Sequence, residues 1–309
     1  MKFFNYSLLF FFFLLFFPLS VQAIKIDNIS NIPVSGDFLL EKGKIELILS
    51  PGQLANEEVS IINRSGKRLK FRLAIEDIFT SKDYTSGLIF SNNLESPYSL
   101  RSFIKVDLKD DYFYLDHGQK ATIPISIMVP NGIAVGGLYG AITFIASVSN
   151  VSNINSELNA RLSSLIFVTI KENAKPAGKI DSFISLHKIF LGIPAVFEVG
   201  FRNEGNIILS PSGKLTISSL IGGKDKEIVL DQFYVIPESS RHQKYSIDLP
   251  SGLYKAKIEL QTPEISLISS EIYFCVLPAL HKIVLFILII LSLLSVFYYF
   301  IFKLKVIKS

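Results

Sequence analysis

Apolar and polar residues alternate one by one through most of the interior of this 309-residue chain, and helical spacing is scarce. Leu69, Phe71, Leu73 and Ile75 alternate with Arg68, Lys70 and Arg72. Ile123, Ile125, Ile127 and Val129 repeat the pattern, as do Phe197, Val199 and Phe201, and then Tyr254, Ala256, Ile258 and Leu260. A period of two puts every second side chain on one face, so each run predicts a strand with one buried and one solvated side. Gly, Pro, Asn and Ser turns separate the runs, which together predict an all-β sandwich architecture. Pro124 has no N–H to give a ladder, so it predicts an edge or strand-end place for its run.

Two apolar runs bracket these strands. Leu8–Phe17 follows Lys2 and ends at Pro18. As a helix it would reach about 15 Å, half of a ~30 Å hydrocarbon core, so it fits a secretory signal better than a span. Val21-Gln22-Ala23 has small residues where a signal protease needs them, and residues 1–23 are expected to be a signal peptide cut after Ala23. Ile283–Phe302 is longer and uncharged, and matches one transmembrane helix over residues 281–302, with Tyr298 and Tyr299 toward its inner end. Lys303, Lys305 and Lys308 follow it. The positive-inside bias then predicts a cytoplasmic tail, 303–309, and a single-pass cell-membrane protein with residues 24–280 outside the cytoplasm.

Those end lysines also explain the charge. Lys2, Lys303, Lys305 and Lys308 account for the whole excess of 31 basic over 27 acidic residues, so the part between is near neutral. Nucleic acid demands a basic footprint and is not an expected partner. Cys275 is the only cysteine, so no intrachain disulfide exists and stability must come from packed cores. In the strand expected over Ile272–Val276, Cys275 is expected as a small buried hydrophobe.

An internal repeat divides the interior. Gly137-Leu138-Tyr139-Gly140-Ala141 matches Gly252-Leu253-Tyr254-Lys255-Ala256, each after a strand ending in Pro, Val129-Pro130 or Leu249-Pro250. Upstream, Asn63-Arg64-Ser65-Gly66 parallels Asn203-Glu204-Gly205. The order predicts two tandem sandwiches, 24–175 and 176–280, meeting where Lys175-Pro176 and Gly178 interrupt the strands. The first copy is longer by about 25 residues, placed within Thr80–Asp116. Loops on a rigid sandwich are where binding concentrates. From this aromatic insert, Tyr84, Tyr98, Arg101, Phe103, Tyr112 and Tyr114 are the candidate ligand-binding residues, with flat rings suited to stacking on sugars. The stripe Arg68, Lys70, Arg72 reads either as a contact for anionic wall polymers or as a solvated face that discourages edge pairing.

Catalysis finds no support. His117, His187, His242 and His281 are scattered, and none has zinc-ligand spacing. No Gly-x-Ser-x-Gly elbow or phosphate loop occurs, so neither an enzyme nor a cofactor is expected. Asp77, Asp83, Asp110, Asp111 and Asp116 lack the spacing of a calcium loop, and no metal is expected.

The order of motifs carries a resemblance. Leu49-Ser50-Pro51-Gly52-Gln53 leads to Val59–Asn63. Ser96-Pro97-Tyr98 through Ile104 follows, then Leu115-Asp116-His117-Gly118-Gln119, Val129-Pro130 and Gly136–Ala141. This series resembles the N-terminal domain of the WxL-interacting surface proteins of bacteria. Phe201–Asn206, Pro211-Ser212-Gly213 and Gly252-Leu253-Tyr254 resemble their second immunoglobulin-like domain. The resemblance implies two immunoglobulin-like domains, peptidoglycan binding by the first, and a partner-binding role for the second. The expected function is a membrane-anchored surface protein that binds peptidoglycan, another wall polymer or a surface protein. The alternatives are a chaperone-like module working by strand addition and a purely structural stalk.

Overall fold

The structure, a computed structural model, describes residues 24–80, 88–93, 95–108, 110, 112–148 and 160–307. The expected signal peptide and Tyr84 lie outside the described residues. Two compact units emerge, one within residues 1–78 and 90–173, the other within 79–89 and 174–309.

The first unit's strands are β1 (Lys25–Asn28), β2 (Phe38–Leu40), β3 (Lys44–Leu49), β4 (Leu54–Asn63), β5 (Leu69–Thr80), β6 (Leu88–Ser91), β7 (Ile104–Val106), β8 (Tyr112–Leu115), β9 (Gln119–Met128), β10 (Gly137–Val148) and β11 (Ala160–Ile170). One sheet runs β1-β9-β4-β2, with β7 also on β9; the other runs β3-β11-β10-β5-β6, with β8 also on β5. Val59 and Ile61 of β4 and Ile123, Ile125 and Ile127 of β9 are buried against Phe71 of β5, Phe144 of β10 and Ile166 and Val168 of β11. Each such side chain is worth roughly 1.5–3 kcal/mol of burial, so the alternation that predicts the strands also supplies the core.

Pro124 sits inside a central strand, contrary to a plain edge assignment. On that side, however, β9 has two short neighbours: β1 stops opposite Thr122, and β7 begins opposite Ile125. Pro124 falls in the gap, where a missing N–H costs no ladder bond.

The second unit contains β12 (Gly178–Ser185), β13 (Ile189–Leu191), β14 (Ala195–Asn203), β15 (Ser212–Ser219), β16 (Lys226–Leu230), β17 (Ser240–Ile247), β18 (Gly252–Gln261), β19 (Ser266–Ile268) and β20 (Ile272–Leu277), followed by helix α1 (Leu280–Ile307). Its sheets run β12-β14-β17 and β13-β20-β18-β15-β16, with β19 on β18. The strand plan repeats. β4 pairs with β9 as β14 pairs with β17; β5, β10 and β11 adjoin one another as do β15, β18 and β20; and β3 lies parallel on β11 as β13 does on β20. This is the plan of an immunoglobulin-like sandwich, present twice.

The repeated asparagines have the same role in both copies. Asn63 and Asn203 are fully buried. The Asn63 amide donates to the carbonyls of Lys67 (2.7 Å) and Leu115 (2.8 Å), and its Oδ1 accepts from the Ser65 N–H (2.9 Å). The Asn203 amide donates to Ile207 (2.7 Å) and Val235 (2.8 Å) and accepts from the Gly205 N–H (2.9 Å). Each side chain closes its own turn and ties it to a distant segment.

The second repeated motif behaves differently. Leu138 belongs to the first core and Tyr139 lies outside that cluster, against Phe167. In the second copy Tyr254 is in the core, stacked on Phe274, while Leu253 is exposed. Matching tripeptides therefore face opposite ways, the inversion that a one-residue slip produces. In both, the preceding glycine leaves room for the ring: a Cβ on Gly137 would collide with the Tyr139 hydroxyl, and one on Gly252 would meet the Tyr254 ring at 3.1 Å. Cys275 departs from expectation for the same alternation. Phe274 and Val276 take the buried places, and Cys275 is half-buried between them.

Helix α1 comprises 28 residues, continues beyond the expected end at Phe302, and takes in the first part of the expected tail. Its described side chains from Val284 to Tyr298 are exposed all round, and apolar save Ser292 and Ser295. That stretch covers about 22 Å of axis at ~1.5 Å per residue, so among the described residues no helix is long and apolar enough to cross a membrane.

Candidate binding site

The insert candidates form two groups. Tyr112 and Tyr114 lie on β8, whose alternation sends Phe113 and Leu115 into the core and the two tyrosines outward. Phe113 stacks on Phe71 at 5.6 Å, which fixes β8 against β5. The outward rings then meet the basic stripe, because Lys70 pairs with Tyr114 and Arg72 with Tyr112 across the ladder. The Lys70 ammonium stands 4.0 Å from the Tyr112 ring centre, the Arg68 guanidinium 4.9 Å from that of Tyr114, and the two rings meet edge-on at 5.6 Å. Tyr112 is 44% and Tyr114 37% exposed. Arg68 and Lys70 of the stripe thus lie over aromatic faces, each contact worth about 0.5–1 kcal/mol at an exposed site.

Tyr98, Arg101 and Phe103 lie elsewhere. The Tyr98 carbonyl accepts from the Tyr139 N–H at 2.8 Å, and its ring leans on Tyr139. Phe103 packs against the core. Arg101 lies with its Nε 3.7 Å from the Asp77 carboxylate, and its guanidinium also donates to the Asn92 carbonyl. Asp77, 1% exposed, accepts from the Ser99 hydroxyl (2.8 Å) and the Arg101 N–H (3.2 Å), so this acid holds the segment in place. Tyr139 is six residues along β10 from Ile145, the residue opposite Arg72. At ~3.3 Å per residue about 20 Å separates the groups, and one small ligand does not span both.

A third feature escaped sequence reasoning. The edge run of the first sandwich changes sheets at Gly43: β2 pairs with β4, and β3 then runs along β11 from Leu165 to Ile170. Among the described residues, Ala160–Ser164 of β11 consequently have β10 on one side and no strand on the other. Leu165 donates its N–H to the Gly43 carbonyl at 3.0 Å, which sets the direction. By the two-residue alternation, the backbone N–H and C=O groups of Ser163 and Arg161 also point to the open side. Between this half-edge and β2 lies a cleft of about 590 Å³, lined by Phe38, Leu69, Ala146 and Leu162 with Asp37, Lys67 and Arg161 at its rim. Arg161 is anchored: its Nη2 lies 2.8 Å from both oxygens of the buried Glu76 carboxylate, which also accepts from the Thr143 hydroxyl at 2.5 Å. The arrangement offers backbone groups with no strand partner among the described residues beside an apolar trough, the chemistry of strand addition. Among the described residues no group of three or more His, Cys, Asp and Glu side chains could hold a metal.

The fold and this edge define a class: a tandem immunoglobulin-like sandwich protein with a half-open sheet edge in its first sandwich. No protein family matches the sequence, and no curated protein does. Solved structures do match in architecture. They include the class 5 fimbriae chaperone CfaA (15% identity over 75% of this chain and 98% of that one, TM-score 0.41). They include the CsuC–CsuE chaperone–tip subunit pre-assembly complex from Csu pili of Acinetobacter baumannii (14%, 78% and 99%, TM-score 0.41). The E. coli chaperone DraB is another (17%, 77% and 96%, TM-score 0.38). At such identity and superposition the likeness is one of strand architecture and no more.

Proposed function

We propose that this chain is a non-enzymatic, membrane-anchored surface protein whose first sandwich holds an extended segment of a surface-protein partner by strand addition. The observation that carries the reading is the half-edge Ala160–Ser164, open beside an apolar cleft. A strand laid there gains main-chain hydrogen bonds to Arg161 and Ser163, and its alternate side chains enter the trough against Phe38 and Leu162. Anchoring is supported by the apolar surface of α1 from Val284 to Tyr298 and the lysines beyond that stretch; export is supported by the apolar run behind Lys2. The alternative in which the chain assists assembly of the partner uses the same edge.

The test places a photo-crosslinking residue at Leu162, which is 37% exposed, in the full chain in its native cells. The crosslinked partner segment is then made as a peptide. Calorimetric binding with slowed amide exchange at Arg161 and Ser163 is expected. Binding without protection of those two amides refutes strand addition.

A second reading rests on a separate observation. The exposed Tyr112 and Tyr114 rings with Lys70 and Arg72 suit a wall glycan, whose sugar faces stack on rings and whose anionic groups meet the cations. Retention of the full chain on purified peptidoglycan, lost in Tyr112→Ala, supports it; equal retention of parent and variant removes it.

A further inference from the structure

The end of the second sandwich from which α1 departs carries a contiguous apolar rim. Only Pro278 and Ala279 separate β20 from the helix. Leu277 pairs with Leu191 on β13, Cys275 with Leu253 on β18, and the Leu220 N–H donates to the Leu253 carbonyl at 2.9 Å. These pairings set Leu253 and Leu220 level with Cys275 in one row of the sheet, with Leu191 and Leu277 two residues, or about 7 Å, nearer the helix start. Along that row and in the turns beyond it, Ile193 is 51%, Leu220 50%, Ile221 74% and Leu253 46% exposed. Ile221 is held outward by Gly222 and Gly223, both at positive φ (104° and 126°).

The junction is short and fixed. The Gly192 N–H donates to the Leu277 carbonyl at 2.9 Å. Gly192 itself, at φ 64°, packs so closely on Ala279 that a Cβ there would collide with the linker backbone. The sandwich end therefore cannot swing away from the first turn of α1 on a flexible tether. Residues at the level of Leu277 lie within ~10 Å of Leu280 at strand and helix rises.

We infer that this rim is seated in the lipid interface, with Ile193 and Ile221 inserted at the boundary between headgroups and acyl chains. The inference rests on the reading of α1 as the membrane anchor. The occupant follows from proximity: past His281 and Lys282 the surface of α1 is apolar from Val284 on, and the two-residue, locked junction holds the rim beside that start, so the lipid that meets the first apolar turn also meets Ile193 and Ile221. Apolar side chains at such a boundary bury roughly 5–10 Å below the headgroups. The first residues of the span are then specified by the sandwich as well as by the helix.

The chain contains no tryptophan, so a single introduced one is an unambiguous reporter. Four variants of the full chain are made: Ile193→Trp, Ile221→Trp, Phe286→Trp within α1, and Ile268→Trp. Ile268 is 70% exposed on β19 opposite Glu259, seven residues along β18 from Gly252 and so about 23 Å from the rim. Each is reconstituted in phosphatidylcholine vesicles with and without acyl-chain bromination, and folding is checked by circular dichroism. Quenching by brominated lipid at 193, 221 and 286, with 268 unquenched, is expected. Quenching at 286 but not at 193 and 221 overturns the seated rim and leaves the anchor intact. No quenching at 286 overturns the anchor, and this inference with it. Equal quenching at 268 and 221 shows adsorption of the whole sandwich and also overturns the specific rim.

Discussion

Asn203→Ala is the sharpest probe of how the second sandwich is held. The amide nitrogen supplies the carbonyls of Ile207 and Val235, and the amide oxygen takes the Gly205 N–H. All three partner residues are buried, so water cannot replace the lost bonds without opening the structure. At ~1 kcal/mol net per bond the loss is about 3 kcal/mol, and more if the groups stay dry. A domain of about 100 residues shifts by 4–8 °C per kcal/mol, so its melting temperature should fall by roughly 12–24 °C. Asn203→Asp is predicted to be worse near neutral pH, since it keeps the Gly205 bond but aims a carboxylate oxygen at two carbonyls. Calorimetry of the full chain in nanodiscs measures both. Asn56→Ala, which loses a single exposed bond to Ser126, serves as the control and should cost under about 1 kcal/mol. If Asn203→Ala melts within about 0.5 kcal/mol of the parent, or Asn203→Asp exceeds Asn203→Ala in stability, the turn is not pinned by this side chain and the reasoning fails.

Three further outcomes are expected. Gly137→Ala forces the Tyr139 hydroxyl away and should lose about 1–3 kcal/mol in urea unfolding, whereas Gly252→Ala, with its nearest ring atom at 3.1 Å, should lose clearly less. Arg161→Ala strips the buried Glu76 carboxylate of its cation and should cost about 1–3 kcal/mol, with Arg161→Lys recovering part. The exposed Glu271 carboxyl is held below its ordinary range first by the Lys255 hydrogen bond and then by Tyr273. A lowered folded value means its contribution exists above the unfolded carboxylate range and fades as pH falls through the folded value. Lys255→Ala should therefore raise the Glu271 titration measured by carbon NMR.

Much of the fold was legible because burial enforces alternation. Phe71, Ile123, Phe197 and Ile258 could be placed inward from their spacing alone, and the paired Asn turns announced two copies. The limits were equally physical. The Gly-Leu-Tyr match did not disclose that Leu138 and Tyr254 occupy the cores, since facing depends on where a strand's ladder starts. Pro124 looked like an edge residue because sequence cannot show two short strands leaving a gap opposite one position. The insert was read as one site, yet Asp77 draws Tyr98 and Arg101 to one place while Phe71 draws Tyr112 and Tyr114 to another. Nothing in the order of residues marks Ala160–Ser164 as open. Its openness depends on where the edge run leaves β4 for β11, and the alternation of β11 is the same either way.

That crossing also gives the two sandwiches different edges. Both edge runs change sheets, and among the described residues both leave the start of the last strand uncovered: β3 begins at Leu165 on β11, and β13 at Cys275 on β20. The lengths left open differ. On β11 the alternation from Leu165 turns two residues outward, Ser163 and Arg161. On β20 the Cys275 N–H goes to the Lys188 carbonyl, and the same alternation turns only Tyr273 outward before the strand ends at Ile272. One outward residue gives an incoming strand at most a pair of main-chain bonds, too few to offset the cost of ordering it at ~1–2 kcal/mol per residue. Two residues beside an apolar trough add side-chain burial to twice as many bonds. A peptide held by strand addition should thus require the first sandwich and ignore the second. Crosslinkers at Leu162 and Tyr273 compare the two edges directly: capture of the same segment with equal yield at both would show that edge length does not select the site.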